Sequence, residues 1–500
     1  MNKQYLLTID QSTSGTKAFV INLSGTIVAR SNAEHKQFYP FPGWVEHDPM
    51  EIYHHVIETS RNVLRKAGIQ PCELAAVTIT NQRETAVMWD RTTGKPIGSA
   101  IVWQCQRTAA ACESLKKAGY ADIVQDKTGL LLDPYFSASK WGWMLENIED
   151  AAKMLEAGTL LAGTMDSWLI WKLSGGAVHA TDVTNASRTS LFNIHKLRWD
   201  GELCKIFGIP PEILPEVKFS DDRFGFTNIS ELFEEQVPIT GIIGDSQAAL
   251  FGQLCFEPGM AKATYGTGTS VLMNVGEKPV PAANGLVLAI AWGMGGKVTY
   301  ALEAVIRTSG DSIKWVRDNL GLFATFEEMD NLLAQVHDNE GVYLVPAFVG
   351  LGAPYWEPNV RASIMGMNRG SGRPHIIRAA LESIAYQVYD AVQLMQEESG
   401  IPLAGLRADG GASDNGLLMQ FQADMIGSSV TKSDVAELSA MGSAYMGGLG
   451  IGFWSGIDQI AGQHRSRRYY EPSMVEAERK RNYEGWVRAV AAVLHGSKEA

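Results

Sequence analysis

The residues from Gly241 to Asn274, GIIGDSQAALFGQLCFEPGMAKATYGTGTSVLMN, decide how the rest of the chain is read. An apolar run closes on Gly244-Asp245-Ser246-Gln247, a small polar turn that presents one carboxylate. A short helical piece from Ala248 to Leu254 and a Pro258-Gly259 turn follow. Then Thr264-Tyr265-Gly266-Thr267-Gly268-Thr269-Ser270 crowds hydroxyls and glycines between apolar flanks. Glycine lets a backbone approach a ligand closely and adopt positive φ, and successive N–H groups in such a turn form an anion-binding concavity. A carboxylate followed by a phosphate-type turn predicts phosphoryl transfer, with a base for the acceptor and a cradle for the donor. Two ordinary tight turns in a large α/β protein are the competing account.

The same grammar stands at the start of the chain. Tyr5 to Ile9 reads as a buried strand, Asp10-Gln-Ser-Thr-Ser-Gly-Thr-Lys17 as a polar hairpin turn, and Ala18 to Asn22 as the returning strand. An acid at a strand end before a Ser/Thr/Gly turn suits a phosphate with its divalent cation, because Mg²⁺ takes hard oxygen ligands and keeps several waters. The two stretches lie about half a chain length apart. Two domains of one plan, each offering a phosphate turn to a shared cleft, produce such an echo.

A chain of 500 residues exceeds one core, so at least two large domains are expected. The net charge of −12 argues against a nucleic-acid partner, which needs a concentrated basic face. Cys72, Cys105, Cys112, Cys204 and Cys255 are scattered and without CxxC spacing. They read as reduced thiols of a cytoplasmic protein. No apolar run has membrane length or signal-peptide form. No G-x-x-x-x-G-K-[ST] occurs, and no G-x-G-x-x-G follows the first strand, so Walker and Rossmann nucleotide sites are excluded.

Between the two turns, Asp48-Pro49-Met50-Glu51 predicts a capped helix start with Glu51 completing a capping box. Leu74 to Thr80 predicts a strand delivering Asn81-Gln82-Arg83-Glu84, where a solvated Arg83–Glu84 salt bridge is the ordinary expectation. Trp103 offers either an aromatic wall for a polyhydroxylated ligand or simple core packing. Thr181 to Arg188 reads as a polar loop, and residues 219–238, with Glu231, Glu234 and Glu235, as an acidic surface loop. Further on, Tyr300 to Leu320 reads as a helix interrupted by Gly310, which hints at close ligand approach. Val342 to Phe348 reads as a strand and His375 to Glu398 as a long amphipathic helix. Asp409-Gly410-Gly411-Ala412-Ser413-Asp414-Asn415 places backbone N–H groups at a helix start, a natural anion or nucleotide site. Ser439 to Gly452, rich in small residues, suits close helix packing.

Several long stretches carry a family resemblance. They are Pro42-Gly-Trp-Val-Glu-His-Asp-Pro-Met-Glu51, Thr80-Asn-Gln-Arg-Glu-Thr85, Ala100-Ile-Val-Trp-Gln-Cys105, Asp133-Pro-Tyr-Phe-Ser137, Thr184-Asn-Ala-Ser-Arg188 and Val349-Gly-Leu-Gly-Ala-Pro-Tyr-Trp356. Together with Tyr135 to Asn147 and Ala362 to Glu382, they resemble the two signatures and flanking motifs of the FGGY carbohydrate kinases. Among these, the chain is most similar to members that phosphorylate glycerol.

The resemblance implies an α/β fold of two actin-like (ribonuclease H-like, ASKHA) domains, residues 1–252 and 253–500, with the catalytic cleft between them. It implies ATP and Mg²⁺ as cofactors and a small polyol as acceptor, glycerol foremost. It also implies no membrane or nucleic-acid partner, and a homodimer or higher homo-oligomer. By position, Asp245 matches the general base, and Arg83, Glu84 and Tyr135 the residues that bind acceptor hydroxyls. Trp103 matches the wall against the acceptor carbons. Asp10, with Asp245, matches the magnesium-associated acids. Thr13, Ser14, Lys17, Thr267, Gly310, Lys314, Gly411 and Asn415 fall on nucleotide-contacting positions.

Several departures stand out. Ser246 replaces the usual Gln and Ser270 the usual Phe, two losses of bulk beside the acceptor that favour a wider pocket for a tetritol or pentulose. Lys314 stands where Gln is common, and Ser12 and Gly15 exchange the usual Gly and Ser. Residues 230–236 lack the glycine-arginine pattern of an allosteric sugar-bisphosphate loop, and residues 219–232 lack a phosphorylatable histidine, so neither control is expected. An actin-like nucleotide-binding protein without kinase activity is the alternative from another class.

Overall fold

The computed structural model describes residues 3–229, 232–233, 235–357, 359–435, 437–463 and 467–496. Of the acidic loop and of the 230–236 stretch, Ser230, Glu231 and Glu234 lie outside the described residues.

Both Ser/Thr/Gly turns close hairpins. Tyr5–Gln11 pairs antiparallel with Gly15–Asn22, Asp10 facing Lys17, and Met260–Tyr265 pairs in the same sense with Thr269–Gly276. Each hairpin seeds a sheet of one order. Beyond its second strand lies another antiparallel strand, Ile27–Glu34 in one sheet and Lys297–Ile306 in the other. Beyond its first strand lie two parallel ones, Leu74–Asn81 then Pro238–Gly244, and Gly405–Asp409 then Val430–Ser433. A short antiparallel edge follows, Gly225–Phe226 or Arg467–Tyr470. The second sheet adds Val287–Met294 outside Lys297–Ile306. The sequence echo is therefore a repeat of topology.

Parallel neighbours need crossover connections, usually helical. Pro49–Ala67 supplies one: Asp48 Oδ1 accepts from Met50 N at 2.8 Å, Pro49 opens the helix and Gly68 closes it at φ 69°. The expected capping box is not formed, because the Glu51 carboxylate accepts from Lys36 N at 3.3 Å instead. Ile52, Val56 and Val63 face Leu7, Val20 and Val77 in the first core. Under the second sheet, Arg373–Ser399 buries Ile377, Leu381, Ile384 and Val388.

Tyr300 to Leu320 is not one helix. Lys297–Ile306 is a strand, and Gly310–Asp318 is a helix that begins at Gly310. Neighbours hydrogen-bond the strand on both sides, and Tyr300, Leu302, Ala304 and Ile306 recur with the period of two that a strand requires. The expected strand at Val342 to Phe348 shortens to Tyr343–Val345.

The small-residue stretch forms the helix Leu438–Gly450, which packs on Asp245–Gly252 and on the first sheet. A Cβ at Gly442 would sit on the Ala248 carbonyl, and one at Gly252 on the Leu438 carbonyl. The helices meet backbone to backbone, and only glycine permits that approach. Around them a third core joins the halves of the molecule, with Leu6, Phe19 and Ile243 against Leu272, Ala301 and Met441. Gly442→Ala is expected to cost about 1–3 kcal/mol through overpacking against unyielding backbone, seen as a lowered Tm in thermal unfolding.

Candidate active site

Because Tyr5–Gln11, Leu74–Asn81 and Pro238–Gly244 run parallel, their carboxyl ends bring residues 10–14, 82–85 and 245–247 to one edge. Open α/β sheets bind ligands at that edge. Gln82 N donates to Gln11 O at 2.7 Å, so the first two turns are joined directly. Glu84 stands at φ 60°, a conformation non-glycine residues rarely adopt and one that clusters at functional sites.

Arg83 and Glu84 are not a solvated pair. Both are buried, and their nearest charged atoms are 4.0 Å apart. Arg83 instead spends its donors on three partners: Nε lies 3.1 Å from Asp245 Oδ1, Nη1 donates to Gln247 Oε1 at 3.1 Å, and Nη2 to Glu303 Oε1 at 2.9 Å. Gly244 makes room for it, since a Cβ there would meet Arg83 Cγ and Cδ at 2.9 Å. Glu84 Oε1 accepts from Arg188 Nε at 2.6 Å, and Arg188 Nη1 lies 2.6 Å from Glu303 Oε2. Burial works against the Arg83 charge, yet Glu303, Glu84 and Asp245 outweigh it and hold its proton more tightly than usual. Burial likewise opposes ionisation of Glu303, but Arg188 and Arg83 hold that carboxyl down at about 2.

Asp245 opens the helix Asp245–Gly252, where the dipole favours an anion. Its Oδ1 accepts from Ser246 N at 2.7 Å, and its side chain is 37% exposed. Trp103 and Tyr135 stand with ring centroids 5.3 Å apart, and Trp103 Nε1 donates to Thr13 Oγ1 at 2.9 Å. One side chain thus ties the aromatic pair to the first polar turn. Ser246 and Ser270 are partly exposed, and Ser270 Oγ makes a long 3.5 Å contact to Glu303 Oε1. Burial lifts the Asp10 carboxyl to about 7, with Lys17 opposing and Asp245 and Glu437 adding to the rise. Lys17 Nζ donates to Glu437 Oε2 at 2.8 Å, across the two halves of the chain.

The second sheet repeats the arrangement. Met260–Tyr265 and Gly405–Asp409 run parallel and end together, so the turn 266–268 lies against residues 410–415. Ser309 N donates to Thr267 O at 2.8 Å and Gly310 N to Gly266 O at 3.0 Å. A Cβ at Gly310 would sit within 2.6 Å of the Gly266 carbonyl oxygen, and Gly410, at φ 87°, leans on the Tyr265 backbone. Close approach therefore governs both glycines, though what approaches Gly310 here is backbone. Asn415 Oδ1 accepts from Leu418 N at 2.8 Å and caps Gly416–Ile426. Two helix starts, at Gly310 and Gly416, flank one turn on which Thr267 is exposed, as are Gly411 and Lys314 nearby. Ser14 is likewise exposed in the first half.

Arg188 and Glu303 were not candidates from sequence. The 181–188 stretch is not a solvated loop: Asp182 caps the short helix Val183–Ala186, and Arg188 is 1% exposed. Glu303 is one acid inside the run Tyr300 to Ile306, YALEAVI, and a lone charge in such a run is the feature that marks it.

Behind the first turn, His35 Nδ1 lies 3.1 Å from His55 Nδ1, and Gln82 Nε2 lies 3.3 Å from His47 Nδ1. Burial pushes His35 and His47 down to about 4, and neighbouring histidines add to the effect at His35. A histidine whose folded pKa is depressed contributes stability above 6.5 that is lost as pH falls toward 4. His47→Gln is expected to take up about one proton fewer on unfolding across that window. Tm measured against pH for both proteins checks it: the variant's acid-side decline should be shallower.

The N-terminal domain model of the FGGY family of carbohydrate kinases matches residues 5–252, and its C-terminal domain model residues 261–451. The chain is 51% identical over 496 residues to glycerol kinase of Caldanaerobacter subterraneus subsp. tengcongensis, covering 99% of this chain and 100% of that one. It is 49% identical to glycerol kinase 2 of Thermotoga maritima, again over 99% and 100%. Plasmodium falciparum glycerol kinase, solved with ADP, superposes with a TM-score of 0.93 at 37% identity, with 99% of each chain covered. Xylulose kinase of Lactobacillus acidophilus shares the fold, with a TM-score of 0.87 at 19% identity and 98% of each chain covered. With both domain models matched in order and relatives similar from end to end, the chain belongs to the FGGY family of carbohydrate kinases.

Proposed function

We propose that this protein transfers the γ-phosphoryl group of ATP to a hydroxyl of a polyol, with glycerol as acceptor and sn-glycerol 3-phosphate as product. The carrying observation is that Asp245 meets Arg83 at 3.1 Å, at the strand edge that also presents the Trp103–Tyr135 pair. A partly exposed carboxylate, a fixed guanidinium fork and an aromatic wall are what acceptance of a small polyol requires. The full-length relatives supply glycerol as the acceptor.

In this reading Asp245 takes the proton of the attacking hydroxyl, a role that needs hydrogen-bond reach. Arg83, Glu84 and Tyr135 hold the acceptor hydroxyls, and Trp103 walls its carbons. Thr13, Ser14 and Lys17 from the first half, with Thr267, Gly310, Lys314, Gly411 and Asn415 from the second, hold the nucleotide. Its phosphates meet backbone N–H groups at the two helix starts.

Asp10 and Asp245 fit a magnesium ion. Both are hard oxygen donors, their charges oppose each other, and a cation relieves that repulsion. Among the described residues no group of three or more His, Cys, Asp or Glu could hold a metal alone. When bound, the ion neutralises charge on the transferring phosphoryl group.

A larger acceptor is the second reading, favoured by Ser246 and Ser270, whose small, partly exposed side chains lie beside Asp245 and Glu303. A methylene more or less changes discrimination by only ~1–3 kcal/mol. Steady-state kinetics over glycerol, erythritol, threitol, xylulose and ribulose decide. The first reading expects the highest kcat/KM for glycerol, and a clear preference for a four- or five-carbon substrate installs the second. No turnover with any of them leaves a nucleotide-binding actin-like protein. The same assay with a sugar bisphosphate added is expected to show no inhibition. A cytoplasmic homo-oligomer completes the proposal. Among the described residues no helix is long and apolar enough to cross a membrane, and sedimentation velocity tests the assembly.

A further inference from the structure

We propose that Glu303 is a positioning residue through which the nucleotide-holding half of the molecule completes the acceptor pocket. The inference rests on the functional reading above and adds a coupling between its two substrates.

Glu303 belongs to the second sheet, on Lys297–Ile306, between Leu272 on one neighbouring strand and Val287 on the other. That strand runs straight into the turn at Ser309 and Gly310. Ser309 N donates to Thr267 O at 2.8 Å, and Thr269 Oγ1 to Ser309 Oγ at 2.7 Å. A displacement of the Thr267 turn is therefore carried along a hydrogen-bonded strand to Glu303. The Glu303 carboxylate, in contrast, finds its two close partners in the first half of the chain, beside a long 3.5 Å contact from Ser270 Oγ. Oε1 accepts from Arg83 Nη2 at 2.9 Å, and Oε2 lies 2.6 Å from Arg188 Nη1. It is 0% exposed.

Both arginines lead onward to acceptor-facing groups, Arg83 to Asp245 at 3.1 Å and Arg188 to Glu84 at 2.6 Å. A guanidinium is planar and rigid, so fixing one edge aims the other. Pinning Nη2 of Arg83 sets the direction of its Nε toward Asp245. Arg188 Nη1 meets Glu303 Oε2 as an ion pair without hydrogen-bond alignment, and that attraction holds the guanidinium where its Nε reaches Glu84. Glu303 thus orients two carboxylates that it does not touch.

Moving the halves apart would strand this charge cluster. Glu303 would lose both of its close partners, with only the charge of Lys262 in its own half to offset it, and the two arginines would lose a shared anion. An unpaired buried charge is strongly unfavourable, so the pocket's assembled geometry and the approach of the second half stabilise each other. A nucleotide that holds the halves together then prepares the acceptor site. By linkage, the acceptor tightens nucleotide binding by the same factor.

The test uses the full chain, glycerol, and the β,γ-imido analogue of ATP with Mg²⁺, with each affinity measured by calorimetry in the presence and absence of the other ligand. For the unaltered protein each ligand is expected to tighten the other by one common factor, roughly 5–150-fold. In Glu303→Gln the analogue alone should bind within about twofold of the unaltered protein, while the common factor falls to about two or less. Glycerol KM should rise by the factor lost, and Glu303→Asp should restore part of it. Three results overturn the inference: no coupling in the unaltered protein, full coupling retained in Glu303→Gln, or an equal loss of analogue affinity alone. If Glu303→Gln does not fold, Glu303→Asp is read instead: a common factor below that of the unaltered protein supports the inference, and full coupling overturns it. Turnover of the unaltered protein is scored separately, so failure to phosphorylate any polyol removes the functional reading, whereas retained coupling in active variants removes only the role of Glu303.

Discussion

Asp245→Asn is expected to lower kcat by about 10²–10⁴-fold, the usual contribution of a positioned general base, while ATP binding survives. The substitution keeps what holds the local structure. An amide oxygen still accepts from Ser246 N, as Asp245 Oδ1 does at 2.7 Å, so the start of Asp245–Gly252 persists. Arg83 keeps Glu303 at 2.9 Å and Gln247 at 3.1 Å. What disappears is the capacity to take a proton. Phosphoryl transfer passes through a loose transition state and depends chiefly on positioning and charge, so activity falls steeply without vanishing. A coupled assay for ADP release gives kcat, and titration with an ATP analogue gives nucleotide affinity. An unchanged kcat would remove Asp245 from the base role.

The two turns were legible in sequence because their chemistry is local. A Ser/Thr/Gly run between apolar strands reads as a hairpin whatever surrounds it, and Tyr5–Gln11 with Gly15–Asn22 and Met260–Tyr265 with Thr269–Gly276 are those hairpins. The helix at Pro49 was legible for the same reason, since Asp48 and Gly68 directly flank it in the chain. Failures fall where partners are distant. Arg83 and Glu84 adjoin in sequence and so suggest each other, but the positive φ of Glu84 turns the two side chains to different partners. Those partners, Glu303 and Arg188, are 220 and 104 residues away. Tyr300 to Leu320 misleads because apolar residues in a doubly buried strand mimic a helical run, and only the two neighbouring strands settle its period.

Arg188→Met carries the largest expected loss of stability, about 3–5 kcal/mol, the range for removing one partner of a buried ion pair. That is a large part of the 5–15 kcal/mol typical of a folded domain. Methionine approximates the arginine's length and can pack beside Phe136 and Tyr135, whose ring centroids lie 5.2 and 5.9 Å from the guanidinium carbon. The cost is therefore electrostatic. Glu84 loses its partner at 2.6 Å and keeps Arg83 at 4.0 Å, while Glu303 keeps Arg83 at 2.9 Å. The sign of the pH dependence follows. In the unaltered protein the two arginines overcome burial and hold Glu303 at about 2, below its ordinary 4.5, so its contribution is present above 4.5 and lost as pH falls through 2. Without Arg188, burial dominates and raises the folded pKa, so the penalty is greatest at high pH and shrinks as the carboxyl is protonated. The Tm deficit of Arg188→Met relative to the unaltered protein should thus narrow from pH 8 to pH 5. Adding Glu303→Gln to Arg188→Met removes the stranded charge and should recover part of the lost stability, because residues sharing an ion-pair network are not additive. A double variant whose loss equals the sum of the single losses would show that Arg188 and Glu303 act independently, against their 2.6 Å contact.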